Sequence, residues 1–390
     1  MKKKFIVFGQ PNVGSEEIKS VIKVIRSKWI GSGPITEKFE KQFKSYKKSK
    51  YALSVNSCTA ALHLSLIYCG IKNNDEVITT PMTFASTINS IIFAGAKPVL
   101  ADINMHSFNI DPIEIEKKIT KKTKAILIVH FAGLPCNMTK IIKIARKYNL
   151  KLIEDCAHAI ESKYKGKHVG NFGETGCFSF YSTKNLTTGE GGMLICNNNN
   201  IYKKVRIARL HGMSRDAWKR HLPESVKTKN KKFQHYDVSE IGLKYNMIDI
   251  NAAMGIVQLN KLEKNWKIRK KLFYTYKKKL MNLPFMFQEF DNKNIKHAYH
   301  LLLLIIDKKR TKKKRDDLVN FLIKNDVGCG INYRSVTDMS VYRKKFFWNR
   351  NTCVNSKYVG DNTLSLPLYP ALTLKEVNYI CEKIHKFFKI

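Results

Sequence analysis

The sequence predicts an α/β protein: a large domain with a mostly parallel sheet flanked by helices, followed by a smaller C-terminal α/β domain. Three observations predict it. From Tyr51 onward, short apolar runs (YALSV, EVITT, KPVLAD, KAILIVH, KLIED) alternate with helical patterns, the order that builds parallel strands joined by helices. The residues with chemistry to offer follow the ends of those runs: Asn56 to Thr59 after the first, Thr83 and Phe84 after the second, Asp155 at the end of KLIED. Ligands of open α/β sheets bind beyond the carboxyl ends of the strands, so these groups can converge on one site. The third observation is length, since 390 residues suffice for two or three domains, each with its own core.

In chain order, Ser15 to Arg26 and Thr36 to Tyr46 read as helices, separated by WIGSGP, whose glycines and proline break the pattern. The alternating region follows. An apolar, β-favouring run from Cys177 to Tyr181 then stops at Ser182, and a second begins at Met193. Arg206 to Tyr245 is polar and poorly periodic, and a long helix is predicted from about Ile248 toward Leu283, with Leu259, Leu262 and Trp266 at helical spacing. Strand-like runs at Leu301–Ile306, Gly330–Tyr333 and Thr363–Leu366 then mix with helices. The expected division is a large domain over 1–247 and a small one over 248–390.

The stretch Gly173 to Gly192, GETGCFSFYSTKNLTTGEGG, carries the strongest chemical signal. It presents a single lysine, Lys184, at the end of a strand. Thr187, Thr188, Gly189, Gly191 and Gly192 leave little side-chain bulk near it, as expected where backbone passes close to a ligand. A lysine that does covalent chemistry must lose its proton, which desolvation or a neighbouring cation makes possible. Ser179, five residues earlier, adds a hydroxyl suited to an anion. Ser57, Cys58 and Thr59 stand where a strand turns into a helix, so that backbone N–H groups and a helix dipole face one point.

Composition excludes other classes. No apolar run approaches the ~18 residues of a membrane span, and the four-residue apolar run after MKKK is too short for a signal-peptide core; a cytoplasmic protein is expected. The nine cysteines are scattered without a CxxC pair, so neither zinc nor a redox couple is indicated. With 70 Lys and Arg against 31 Asp and Glu, the formal net charge is +39. The basic residues are spread over polar helix faces rather than clustered, and no nucleic-acid fold signature is present. Solvation explains most of that charge, with a field that also favours a nucleotide diphosphate.

The segment FSFYSTKNLTTGEGG closely resembles the lysine segment of the DegT-type sugar aminotransferases, pyridoxal-phosphate enzymes of the fold-type-I aminotransferase class. WIGSGPITEKFEKQF, NSCTAALHLSL, DEVITTPMTFASTINSI, GAKPVLADI, EDCAHAIES, LHGMSRDAW and GLKYNMIDINAAMGIVQL follow in the family's order and spacing, and the likeness is greatest to the UDP-4-amino-4-deoxy-L-arabinose synthase type. The resemblance implies pyridoxal 5'-phosphate as cofactor, with Lys184 as the covalent attachment point and proton carrier. Asp155 would pair with the pyridine nitrogen and His158 would lie beside the ring. Phe84 would stack on the ring, and Ser57, Cys58, Thr59 and Ser179 would hold the phosphate. It further implies a homodimer in which Lys244 or Asn246 of GLKYNM serves the neighbouring subunit's phosphate. Gly31, Ser32, Trp218, Asn332 and Arg334 would face the sugar. Asn332 and Thr337 occupy positions where relatives usually carry histidines.

The implied reaction moves an amino group from glutamate to the fourth carbon of a nucleotide-linked 4-keto sugar. Relatives that dehydrate sugars have histidine in place of the lysine, so Lys184 argues for amino transfer. Two alternatives stand beside this reading: amination at the third carbon, and a non-catalytic basic regulatory or nucleic-acid-binding protein on the same fold.

Overall fold

The computed structural model describes residues 5–214 and 237–389. Seven strands form the large sheet: β1 (Tyr51–Val55), β2 (Glu76–Thr79), β3 (Lys97–Leu100), β4 (Thr123–Val129), β5 (Lys151–Asp155), β6 (Thr175–Ser179) and β7 (Gly192–Cys196). Their order across the sheet is β1-β7-β6-β5-β4-β2-β3. The pairs β2–β3, β2–β4, β4–β5 and β5–β6 are parallel, while β7 is antiparallel to both β6 and β1. Every strand except β7 therefore runs the same way, and the carboxyl ends of β1, β2, β5 and β6 open on one edge of the sheet. The middle strands are buried on both faces, which is why they read as continuous apolar runs. Pro98, which has no N–H to give a ladder, sits in the edge strand β3.

The helix Ser15–Arg26 has the predicted bounds, and the next runs Pro34–Lys47, starting two residues early because Pro34 is preorganised for a first helical turn. Its N-terminus is capped from far along the chain. Asp249 accepts hydrogen bonds from the N–H groups of Gly33 (2.8 Å), Ile35 (3.2 Å) and Thr36 (2.8 Å), and from the Thr36 hydroxyl (2.5 Å). Asp249 is itself the first residue of the long helix Asp249–Leu280, so one carboxylate fixes the start of two helices.

The first half of that helix packs through Leu259 and Leu262 with Phe39 and Phe43. Its second half, through Leu272, Tyr276 and Leu280, enters the core of a second sheet. This sheet is antiparallel, ordered β8 (Phe285–Met286), β9 (Leu302–Ile306), β10 (Thr363–Leu366), and is covered by Arg315–Lys324 and Leu374–Lys389. The N-terminal lead joins this core as well, since Ile6 bridges to Val327. Gly330–Tyr333, expected as a strand, pairs with β10 only through Gly330 and Ser365. The backbone of Gly330 lies where a side chain would meet the Phe8 ring, and the chain then leaves the sheet to bring Tyr333 to His158.

Replacing Asp249 by Ala leaves three backbone N–H groups without their charged acceptor. The expected loss of stability is about 3 kcal/mol, read as a fall in the urea midpoint at unchanged slope, with Asp249→Asn losing less.

Candidate active site

At the shared carboxyl edge a cavity of about 530 Å³ is lined by Ser57, Cys58, Thr59, Phe84, Asp155, His158, Ser179, Lys184 and Asn332 of the predicted site. Each arrives for a local reason. Ser57 is the N-cap of Cys58–Tyr68, its hydroxyl accepting from the Ala60 N–H at 3.1 Å, so its side chain caps while the free N–H groups of the first turn face the opening. Phe84 is the residue before the helix Ala85–Phe93 and leaves 60% of its surface uncovered. Asp155 ends β5 and is buried. Its Oδ1 accepts from the Ala157 N–H (3.0 Å) and its Oδ2 from the Thr87 hydroxyl (2.9 Å).

Lys184 stands on a tight loop closed by its own backbone. The Phe180 carbonyl accepts from the Thr188 N–H, the Phe180 N–H donates to Gly191, and the Lys184 N–H donates to Tyr181, all at 2.9 Å. The glycines serve this loop more than a ligand. A side chain at Gly192 would fall 2.5 Å from the backbone of Ser57, and Gly189 has φ +80°, so one lets β7 touch the Ser57–Cys58 turn and the other turns the loop.

Electrostatics favour a reactive amine. Burial lowers the Lys184 ammonium to about 8, against the opposing pull of Cys58 and Asp155. The same burial raises the Asp155 carboxyl, although Ala157, Thr87 and Lys184 pull it down, and a buried carboxylate of this kind is relieved by a cationic N–H. Burial pushes the Cys58 thiol well above its ordinary value, making it a small filler. His158 is held well below its usual range by burial, with Lys184 and His300 adding to the effect; its Nε2 bonds the Tyr333 hydroxyl at 3.0 Å, and its buried Nδ1 has no protein partner.

The remaining predicted residues lie elsewhere. Asn246 Nδ2 donates to Ser32 Oγ at 3.1 Å, Ser32 donates to the Met247 carbonyl, and Gly31 accepts from Asp249 N at 2.9 Å. Ser32 and Asn246 thus line a second, polar cavity of about 430 Å³ with Arg209 and Glu40. Lys244 is exposed, its carbonyl taken by Asn56 Nδ2. Arg334 is exposed 3.9 Å from Asp338, and Thr337 is buried against Ser335, away from the cavity. Trp218 lies outside the described residues. Thr87, Tyr333, His300 and Asn185 were missed. Thr87 had a signal, since it follows four residues after Thr83, which lies just ahead of the helix, and the two hydroxyls meet at 2.7 Å; the others are placed only by tertiary contact.

One group of potential metal ligands exists among the described residues, His130, Glu154 and Cys156, and hydrogen bonds occupy its histidine and its carboxylate. His130 Nδ1 accepts from the Cys136 N–H (3.1 Å), which leaves Nε2 to donate to Glu154 (3.0 Å). Glu154 also accepts from the N–H groups of Gly170, Phe172 and Gly173 at 2.6–2.8 Å, tying down the loop ahead of β6.

A lone lysine at a strand end, dried beside a buried aspartate and facing donors on a helix N-terminus, fits a phosphorylated aldehyde with a basic ring nitrogen. The sequence profile of the DegT/DnrJ/EryC1/StrS aminotransferase family matches residues 11–385. The chain belongs to this family. It is a pyridoxal-phosphate-dependent aminotransferase. It is 38% identical over 386 residues to the spore coat polysaccharide biosynthesis protein SpsC of Bacillus subtilis, covering 99% of this chain and 97% of that one. Two solved structures superpose on the aminotransferase over nearly its whole length. Spr1654 of Streptococcus pneumoniae, in its PMP form, has TM-score 0.90 and 27% identity over 98% of this chain and 99% of its own, and has been solved in a PLP form as well. PseC of Helicobacter pylori, an aminotransferase involved in the biosynthesis of pseudoaminic acid, has TM-score 0.89 and 27% identity over 99% and 100%. Among the described residues no helix is long and apolar enough to cross a membrane.

In the cofactor-free protein, competitive acetylation across pH 6–11 should give Lys184 an apparent pKa near 8, below the ~10.4 of surface lysines. Reactivity rises as pH passes 8, because the proton is lost there.

Proposed function

We propose that this aminotransferase converts a nucleotide-linked 4-keto sugar to the 4-amino sugar, with glutamate as amino donor, in a cytoplasmic homodimer whose active sites are shared. The observation that carries amino transfer is Lys184, its amine lowered by desolvation, lining the same cavity as the buried Asp155. The likeness to SpsC and PseC supports a sugar as acceptor. The likeness of NLTTGEGG and Arg334 to arabinose-type relatives supports the fourth carbon.

The residues divide the work. Ser57 to Thr59, through the free N–H groups of their helix turn, and the Ser179 hydroxyl would hold the phosphate. Asp155 would hold the ring nitrogen protonated, Phe84 would cover one ring face, and His158 Nδ1, which lacks a protein partner, would receive the ring's phenolic group. Pyridoxal phosphate so held supplies an electron sink for the carbon that loses or gains the amino group. Lys184, its amine free in that step, would carry the proton between the reacting carbons. Walls built from Phe84, Tyr333 and Leu301 limit water around that transfer.

Charge supports the shared sites. Among the described residues lining the cavity, Lys184 is the only lysine or arginine, and its work lies at the aldehyde rather than at the phosphate. A phosphate dianion needs a further cation, and Lys244 is exposed immediately beside Asn56, at the lip of its own site, where it can reach a partner's. Lys244→Ala is expected to weaken cofactor retention about tenfold, measured by dialysis against free pyridoxal phosphate, with the dimer intact by sedimentation.

Nitrogen at the fourth carbon is expected in the NMR spectrum of the product made from a 4-keto sugar nucleotide and glutamate. Turnover confined to 3-keto sugars would move the reaction to the third carbon.

A further inference from the structure

His300 is buried, lines the cavity and belongs to no predicted role. Its neighbours determine its chemistry. Asn185, the residue after Lys184, directs its Nδ2 at three acceptors: both oxygens of Glu161 (3.2 and 3.0 Å) and the Ala298 carbonyl (3.0 Å). Turning the amide over would set its oxygen against those three oxygens, so the Nδ2 assignment is fixed. Asn185 Oδ1 must then face His300 Nδ1, 3.0 Å away, and it can only accept. His300 therefore carries its proton on Nδ1. Nε2, which no described residue hydrogen-bonds, keeps the lone pair. Glu161 is in turn held by Arg269 in a buried ion pair, so the acceptor that orients the amide is itself fixed in place.

Burial, with the charges of Lys184 and Arg269, keeps the ring neutral by pushing it well below its usual range. The His158 ring lies 4.4 Å away, centroid to centroid, and it is neutral for the same reason. The wall of the cavity beside Lys184 thus offers a fixed acceptor and no cation. A carboxylate placed against Nε2 would meet lone pair with lone pair, and the donor's amino group is engaged at the reacting carbon. A sugar hydroxyl is the donor that remains.

We propose that His300 is a specificity-determining residue for the sugar half of the reaction, its Nε2 accepting a hydrogen bond from a hydroxyl of the bound keto sugar, and that Asn185 and the Glu161–Arg269 pair are positioning residues that hold this tautomer. The proposal rests on the sugar reading above. A site built to pair with a hydroxyl discriminates strongly against an analogue that lacks it.

The test separates the two half-reactions of the holoenzyme in stopped flow. His300→Phe should leave the glutamate half within about twofold and raise the KM for the 4-keto sugar nucleotide ~10- to 100-fold. His300→Gln, whose amide oxygen can stand in for Nε2, should recover part of that loss. In a panel of monodeoxy analogues, the one lacking the bonded hydroxyl should be poor for the wild type and no poorer for His300→Phe. In the cofactor-free protein, 15N NMR should show His300 as the Nδ1–H tautomer and a tautomer mixture in Asn185→Ala. Equal loss in both half-reactions, no analogue coupled to His300, or an Nε2–H tautomer in the wild type would each overturn the proposal. If the wild type turns over no nucleotide-linked keto sugar, the substrate reading falls and takes the sugar partner of His300 with it. That outcome is distinct from wild-type turnover unaffected by His300→Phe, which removes this proposal alone.

Discussion

Everything at this site depends on a half-buried lysine amine and a buried carboxylate sharing one cavity at the open edge of the sheet. Water would return Lys184 to its ordinary pKa and leave it charged; burial lowers it to about 8 and raises Asp155. The fold supplies that burial by running six strands in one direction, so that the ends of β1, β2, β5 and β6 crowd one edge. It then lays the second sheet's segment, with His300, Leu301 and Tyr333, across the opening. The cost of holding Asp155 without water is offset by two hydrogen bonds, from Ala157 and Thr87.

Three acids within eight residues, Glu154, Asp155 and Glu161, serve different ends. Side chains alternate across a strand, so Glu154 points away from its neighbour and gathers backbone N–H groups from the loop before β6. Glu161, beyond the end of β5, meets Asn185 and Arg269. Glu154 thus fixes the entry to β6, and Glu161 holds the lysine loop beyond its exit through Asn185. A rigid loop matters because proton transfer requires the amine within hydrogen-bond reach of the reacting carbon.

The charge of the chain also depends on the fold. Of the described acids, Glu17, Glu154, Asp155, Glu161, Asp249 and Asp338 are buried, against only Lys47 and Arg269 among the bases. Folding therefore makes the surface more positive than the composition implies. Such a field speeds the approach of an anionic substrate and fades with salt.

The sequence alone determined the α/β class and the strand ends that carry Ser57, Asp155, Ser179 and Lys184, because these rest on period-two and period-3.6 patterns and on local turn chemistry, and it pointed to the cofactor through the resemblance of the lysine segment and its companion motifs to one family. Arg334, expected to face the sugar, and Thr337, at a position where relatives usually carry histidine, lie outside the cavity lining, and Gly330–Tyr333 pairs at only one residue, because position in a motif does not fix which way a chain turns once it leaves a sheet. Only the tertiary structure brought Asn246 against Ser32 and joined Asn185, Glu161, Arg269 and His300, residues up to 139 positions apart in the chain. Sequence periodicity reports which face of an element is buried, whereas the tautomer of a histidine is set by a partner that only folding delivers.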